Sequence, residues 1–146
     1  VKAAAEMASH ICVLDASVTL AWCFEDQASE AADALLQAST EHGVAVPIHW
    51  HLDVAQLLER AQRCQRITEA RATEFLALLD ALPVDIDAAA PERGRREVLY
   101  LARETALSPY DAAYLDLAIR RRLPLATRDP LLRQAAAALG VNTLDL

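Results

Sequence analysis

Residues 100–132, "YLARETALSPYDAAYLDLAIRRRLPLATRDPLL", decide the fold. Ser108-Pro109 opens a helix predicted over 109–122, because a hydroxyl at the N-cap followed by Pro at the first helical position starts a helix. A short apolar run, "LPLATRD" at 123–129, then reads as a strand closed by an acid, and Asp129-Pro130 opens another helix over 130–139. Working outward, the same grammar repeats. "HICVLD" (10–15), "GVAVP" (43–47), "LPVDID" (82–87) and "VNTLDL" (141–146) are further strand candidates. Helical spacing runs through 27–40, 49–65, 68–81 and 91–106. Gly43 and Gly140 stand where helices should end. Apolar strands alternating with helices imply an α/β fold on a parallel sheet of about five strands, covered on both faces.

At 146 residues the chain fits one compact domain, predicted over 10–146, with "VKAAAEMAS" (1–9) read as a flexible lead-in or a cloning remnant. Only three glycines are present, too few for a dinucleotide or P-loop cradle. Cys12, Cys23 and Cys64 lie far apart among apolar residues and read as buried free thiols of a cytoplasmic protein. Neither a signal peptide nor a membrane span is expected. The net charge of −7 argues against a nonspecific nucleic-acid binder, but the charge is uneven. Residues 1–87 carry 5 Lys/Arg against 14 Asp/Glu, whereas 88–146 carry 9 Arg against 7 Asp/Glu, so the C-terminal part can face a phosphate backbone.

The strands of a parallel sheet end along one edge, where ligands bind. Asp15 ends the first strand, Asp129 follows the fourth, Asp111 opens the helix leading into it, and Asp53 lies in the helix after the second. Asp15, Asp111 and Asp129 each have a second reading as helix-capping groups. Four carboxylates at one edge repel by roughly 4 kcal/mol per close pair at an effective dielectric near 20. Such a cluster calls for a cation or raised pKa values. Oxygen ligands without His or Cys suit Mg²⁺ or Mn²⁺, and the matching chemistry is metal-assisted hydrolysis of a phosphodiester.

"VLDASVTLAW", "VPIHWHLDVAQLL" and "LSPYDAAYLDLAIRRRLPLATRDPLL", at this spacing, resemble PIN-domain ribonucleases, specifically VapC-like toxins of toxin–antitoxin pairs. The resemblance covers residues 10–146 and implies a three-layer α/β/α sandwich. It implies Asp15, Asp111 and Asp129 as metal ligands, Asp53 as a fourth catalytic acid, and Thr127 and Ser17 as supporting hydroxyls. It further implies endoribonuclease activity with Mg²⁺ or Mn²⁺, an RNA substrate, a cognate antitoxin and a homodimer. One position departs from the family pattern. Where Leu-Glu-x-x-Asn is usual, this chain has Leu52-Asp53-Val54-Ala55-Gln56. Asp53 is shorter than Glu by one bond, about 1.5 Å, and the longer Gln56 is expected to compensate. This departure supports the rival reading of a catalytically weak PIN domain that binds protein or RNA.

Arg120, Arg121 and Arg122 have two readings: favourable charges at a helix C-terminus, or phosphate contacts shared with Arg128 and Arg133. Asp116 is expected to be solvated or auxiliary. His49 and His51 read as loop packing, Trp50 and Tyr114 as core. A phosphoacceptor receiver is disfavoured because the one lysine is Lys2. A haloacid-dehalogenase-type phosphatase is disfavoured because the first strand ends Asp15-Ala16-Ser17.

Overall fold

The computed structural model describes residues 10–146, and the lead-in expected over 1–9 lies outside them. In chain order the elements are β1 (Val13–Leu14), α1 (Ala16–Ala21), a 3₁₀ turn (Glu25–Gln27), α2 (Glu30–His42), β2 (Val44–Pro47), α3 (Trp50–Arg63) and α4 (Glu69–Asp80). β3 (Val84–Asp87), α5 (Ala90–Arg93), a π-helical turn (Gly94–Val98), α6 (Leu99–Thr105), α7 (Pro109–Arg121), β4 (Leu125–Ala126) and α8 (Pro130–Ala138) follow.

The strands form one parallel sheet in the order β3-β2-β1-β4. Successive strands run outward from β1 to β2 and β3, and the chain then crosses to the other side of β1. The junction of β1 and β4 is therefore the topological switch point, where such sheets hold ligands outside the carboxyl ends. Cys12–Leu14, Val44–Val46 and Leu125–Ala126 are all fully buried, as expected of strands covered on both faces. β3 is one edge of the sheet and β4 the other. Asp85 and Asp87 place carboxylates along β3, where they pair with arginines of α7.

Four side chains set where helices begin. Ser29 accepts from Ala32 N at 3.0 Å, Thr68 from Arg71 N at 3.1 Å, Ser108 from Asp111 N at 3.1 Å and Asp129 from Leu131 N at 2.8 Å. Gly43 closes α2 at φ +80°, and a Cβ there would lie 2.9 Å from the Pro83 carbonyl oxygen. Both the backbone conformation and the close approach demand glycine.

The sheet has four strands rather than five. The run 141–146 contributes only an isolated bridge, Thr143 to Leu125. The stretch 91–106 is not one regular helix, because the π turn interrupts it at Gly94. The short α1 was absent from the predicted helices. Cys12 and Cys23 are buried, but Cys64 is exposed, contrary to expectation. Burial pushes the Cys12 thiol up to about 12.

Candidate active site

Asp15 stands at the N-cap position of α1, yet its carboxylate makes no cap hydrogen bond to that helix. Instead Oδ2 accepts the Ser17 hydroxyl at 2.7 Å and the Thr127 hydroxyl at 2.6 Å. Each hydroxyl also accepts a backbone N–H of the loop after β4, Arg128 N to Ser17 at 3.0 Å and Asp129 N to Thr127 at 3.1 Å. The ends of β1 and β4 are thus cross-braced through Asp15. The residue is only 8% exposed. Burial raises its pKa, hydrogen bonds from Thr127 and Ser17 partly counter this, and the charge of Asp111 adds to the rise.

The capping readings separate cleanly at the other acids. Asp129 is a cap: its Oδ1 accepts from Leu131 N at 2.8 Å and Leu132 N at 3.3 Å, which spends one oxygen and leaves Oδ2. Asp111 is not, because Ser108 caps α7. Among the described residues no backbone N–H reaches the Asp111 carboxylate. Burial raises the pKa of Asp111, the nearby Ser108 hydroxyl lowers it, and the charges of Asp129 and Asp53 raise it further. Asp53, in the first turn of α3, accepts the Tyr114 hydroxyl at 2.7 Å through Oδ2, and His49 Nε2 stands 3.5 Å from the same oxygen. Asp111 on α7 therefore lies within electrostatic reach of Asp15 after β1, Asp53 on α3 and Asp129 at the β4–α8 junction.

Among the described residues, no group of three or more His, Cys, Asp or Glu side chains is drawn together as a ready-made metal cage. The donor chemistry still fits a hard divalent cation. The donors are carboxylate and hydroxyl oxygens, and burial and mutual repulsion raise the pKa of two acids, which a cation would relieve.

Other expected residues fall elsewhere. Gln56 is exposed and makes no hydrogen bond among the described residues; Tyr114 and His49, not Gln56, touch Asp53. Neither contact was evident in the sequence, although His49 and Asp53 are four apart and so share a helical face. Arg120 pairs with Asp87 and Asp116, and Arg121 Nη1 with Asp85 at 2.6 Å. These two guanidinium groups are held within the fold. Arg122 is exposed at the left-handed C-cap of α7. Asp116 is not solvated as expected but 7% exposed, clasped by Arg93 at 2.9 Å and Arg120 at 2.9 Å. Burial alone would raise its pKa, but the hydrogen bonds from Arg93 and Arg120 outweigh that and hold it below the usual range. Arg128 donates to the Gln27 carbonyl oxygen at 3.0 Å and side-chain oxygen at 3.3 Å, both neutral partners, and among the described residues it makes no ion pair.

A groove of about 840 Å³ starts at Ser17 and Asp129 and runs over Leu57 and Leu131, with Arg60 and Arg128 among its walls.

The family model described as "PIN domain" matches residues 12–138. The crystal structure of PAE2754 from Pyrobaculum aerophilum is similar over 88% of this chain and 86% of that one, at 23% identity and a TM-score of 0.66. Comparison with curated proteins returns no match. Among the described residues no helix is long and apolar enough to cross a membrane. A strand order that turns at β1, an acid braced at that turn and a family match over most of the chain agree: the chain belongs to the PIN domain family, a fold generally of nucleases.

Proposed function

We propose that the chain is a metal-dependent endoribonuclease of the cytoplasm that hydrolyses RNA phosphodiester bonds, the toxin of a toxin–antitoxin pair restrained by its cognate antitoxin. The observation that carries this reading is the buried Asp15, braced by Ser17 and Thr127 and made harder to ionise by burial and the charge of Asp111. Asp15, Asp111 and Asp129 would hold Mg²⁺ or Mn²⁺, which when bound supplies an acidified water and neutralises phosphoryl charge. Ser17 and Thr127 keep Asp15 in one rotamer. Asp129 is held by its own helix start, so its remaining oxygen is presented without loss of side-chain entropy. Asp53 adds a fourth charge at the rim. The groove beside Ser17 and Asp129 gives a strand somewhere to continue beyond the scissile bond, and Arg60 and Arg128 set positive charge in its walls.

Cleavage of a single-stranded RNA with and without Mn²⁺ tests the proposal. Asp15→Asn and Asp111→Asn should each lower the rate by more than the roughly 100-fold upper range for an outer metal partner. Near-normal cleavage by either variant would remove that residue from the site.

One observation favours a second reading. No three acids are drawn together among the described residues, which suits a weakly catalytic domain that binds protein or RNA. RNA retained by the wild-type chain but never cut, at any Mn²⁺ concentration, would decide for it.

A further inference from the structure

The fourth acid, Asp53, is half-buried and held by a side chain from another helix. Tyr114 lies in the second turn of α7 and is 0% exposed. Its hydroxyl donates to Asp53 Oδ2 at 2.7 Å. His49, the residue before α3, approaches the same oxygen at 3.5 Å. Its Nε2 also lies 3.0 Å from the Tyr110 carbonyl oxygen. A carbonyl only accepts, so Nε2 carries the hydrogen and donates it to Tyr110, with Asp53 an electrostatic neighbour. The imidazole is wedged edge-on between two rings, 5.4 Å from Tyr110 and 5.3 Å from Tyr114 between centroids. The phenol thus donates to one oxygen of Asp53 with the imidazole close beside it, and among the described residues the other oxygen accepts no hydrogen bond. The same four side chains join the first turn of α3, which carries Asp53, to the first turn of α7, which carries Asp111.

We propose that Tyr114, with His49 packed beside it, is a positioning residue for Asp53, a latch that pins one carboxylate oxygen and so sets where the other points. The inference rests on the nuclease reading of the pocket. A free Asp side chain samples several rotamers, whereas one oxygen pinned by a buried phenol fixes where the second oxygen points. The buried phenol keeps its proton, because burial and the charges of Asp15 and Asp53 push its pKa far above the ordinary tyrosine value. It therefore remains a donor throughout the pH range in which the protein is folded.

The test uses the full chain. Tyr114→Phe keeps the ring and removes the donor. It should lower kcat on single-stranded RNA by about 10-fold with KM unchanged, the lower end for loss of an outer partner. The Mn²⁺ concentration giving half of the maximal thermal shift should rise by a similar factor, read without any turnover. His49→Phe should act in the same direction and more weakly. In an Asp53→Asn background, Tyr114→Phe should change neither quantity further, because a residue acting only through Asp53 has nothing left to act on. A Tyr114→Phe chain with wild-type kcat and wild-type Mn²⁺ midpoint overturns the latch, as does a full effect persisting in the Asp53→Asn background. If wild type cuts no RNA but Tyr114→Phe still raises the Mn²⁺ midpoint, the nuclease reading fails and the latch stands. A wild type that neither cuts RNA nor responds to Mn²⁺ overturns both.

Discussion

Asp15, Asp111 and Asp129 carry the same functional group, and their neighbours give them different work. Asp129 spends an oxygen on its helix, Asp15 is claimed by two hydroxyls, and the Asp111 carboxylate takes no backbone N–H among the described residues. Asp129→Ala should therefore cost stability of about 1 kcal/mol, the usual loss for an N-cap, measured by urea unfolding without metal. Asp111→Asn should cost little or stabilise. Asp15 predicts a pH dependence. Its folded-state pKa lies above the ordinary value, so over that interval the folded protein holds a proton the unfolded chain has released. The stability this group contributes is full below the ordinary pKa and is lost as pH rises through the raised one. Asp15→Asn has no such proton. In metal-free buffer its melting temperature should gain on wild type as pH climbs from about 4; a constant difference would mean that Asp15 titrates normally. The sequence pointed all four acids toward one edge from strand ends and helix starts. It could not divide cap from free carboxylate, because that turns on which neighbouring hydroxyl arrives, and Thr127 reaches Asp15 from 112 residues away.

The helices carry a second division of labour. α7 offers Asp111 at its start, Tyr114 in its second turn, and Asp116 with Arg120 and Arg121 toward its end. The last three lock the helix to β3 and to Arg93 just before the π turn. Removing one partner of a largely buried pair strands the others. Arg120→Ala, which exposes Asp87 and Asp116 to that loss, should destabilise by about 3 kcal/mol, seen as a lower urea midpoint with an unchanged slope. Loss below a few tenths of that would mean the network is surface decoration. Most strand and helix positions along the chain were legible to within a few residues, since caps, Pro and Gly punctuate them, but the short α1 and the π break at Gly94 were not. Two further features escaped the sequence. "VNTLDL" has strand-like composition but forms a single bridge, because strand formation depends on available backbone partners as well as propensity. Asp116 was expected to be solvated or auxiliary, and its pairing was not foreseen although Arg120 lies four residues on, within reach on one helical face. The third member, Arg93, comes from a separate turn.

At the scale of the whole molecule, the parallel order β3-β2-β1-β4 gathers the acids from segments spread over most of the sequence, and the excess acidity of residues 1–87 gives way to arginines beyond. A cation bound only by the folded state stabilises it. Millimolar Mn²⁺ should raise the melting temperature of wild type and not of an Asp15→Asn, Asp111→Asn double variant; an equal rise in both would put the ion elsewhere. If Arg128 meets a phosphate, Arg128→Ala should weaken RNA binding and flatten the dependence of log affinity on log salt by about 0.7, the share of one phosphate on a single strand. An unaltered slope would leave Arg128 as a loop anchor to Gln27.

The bracing of Asp15 also bears on the order of synthesis. β1 draws backbone hydrogen bonds from the segment after α7: Val13 N donates to the Pro124 carbonyl oxygen at 2.9 Å and Asp15 N to that of Ala126 at 3.0 Å. A growing polypeptide that has left the ribosome only as far as α7 holds Asp15, Asp53 and Asp111 but neither Thr127 nor Asp129. Asp15 then lacks one of its two hydroxyl partners, and the pocket has three of its four acids. The brace between β1 and β4 closes only once β4 and the turn after it have emerged, whether or not the chain before them has already folded.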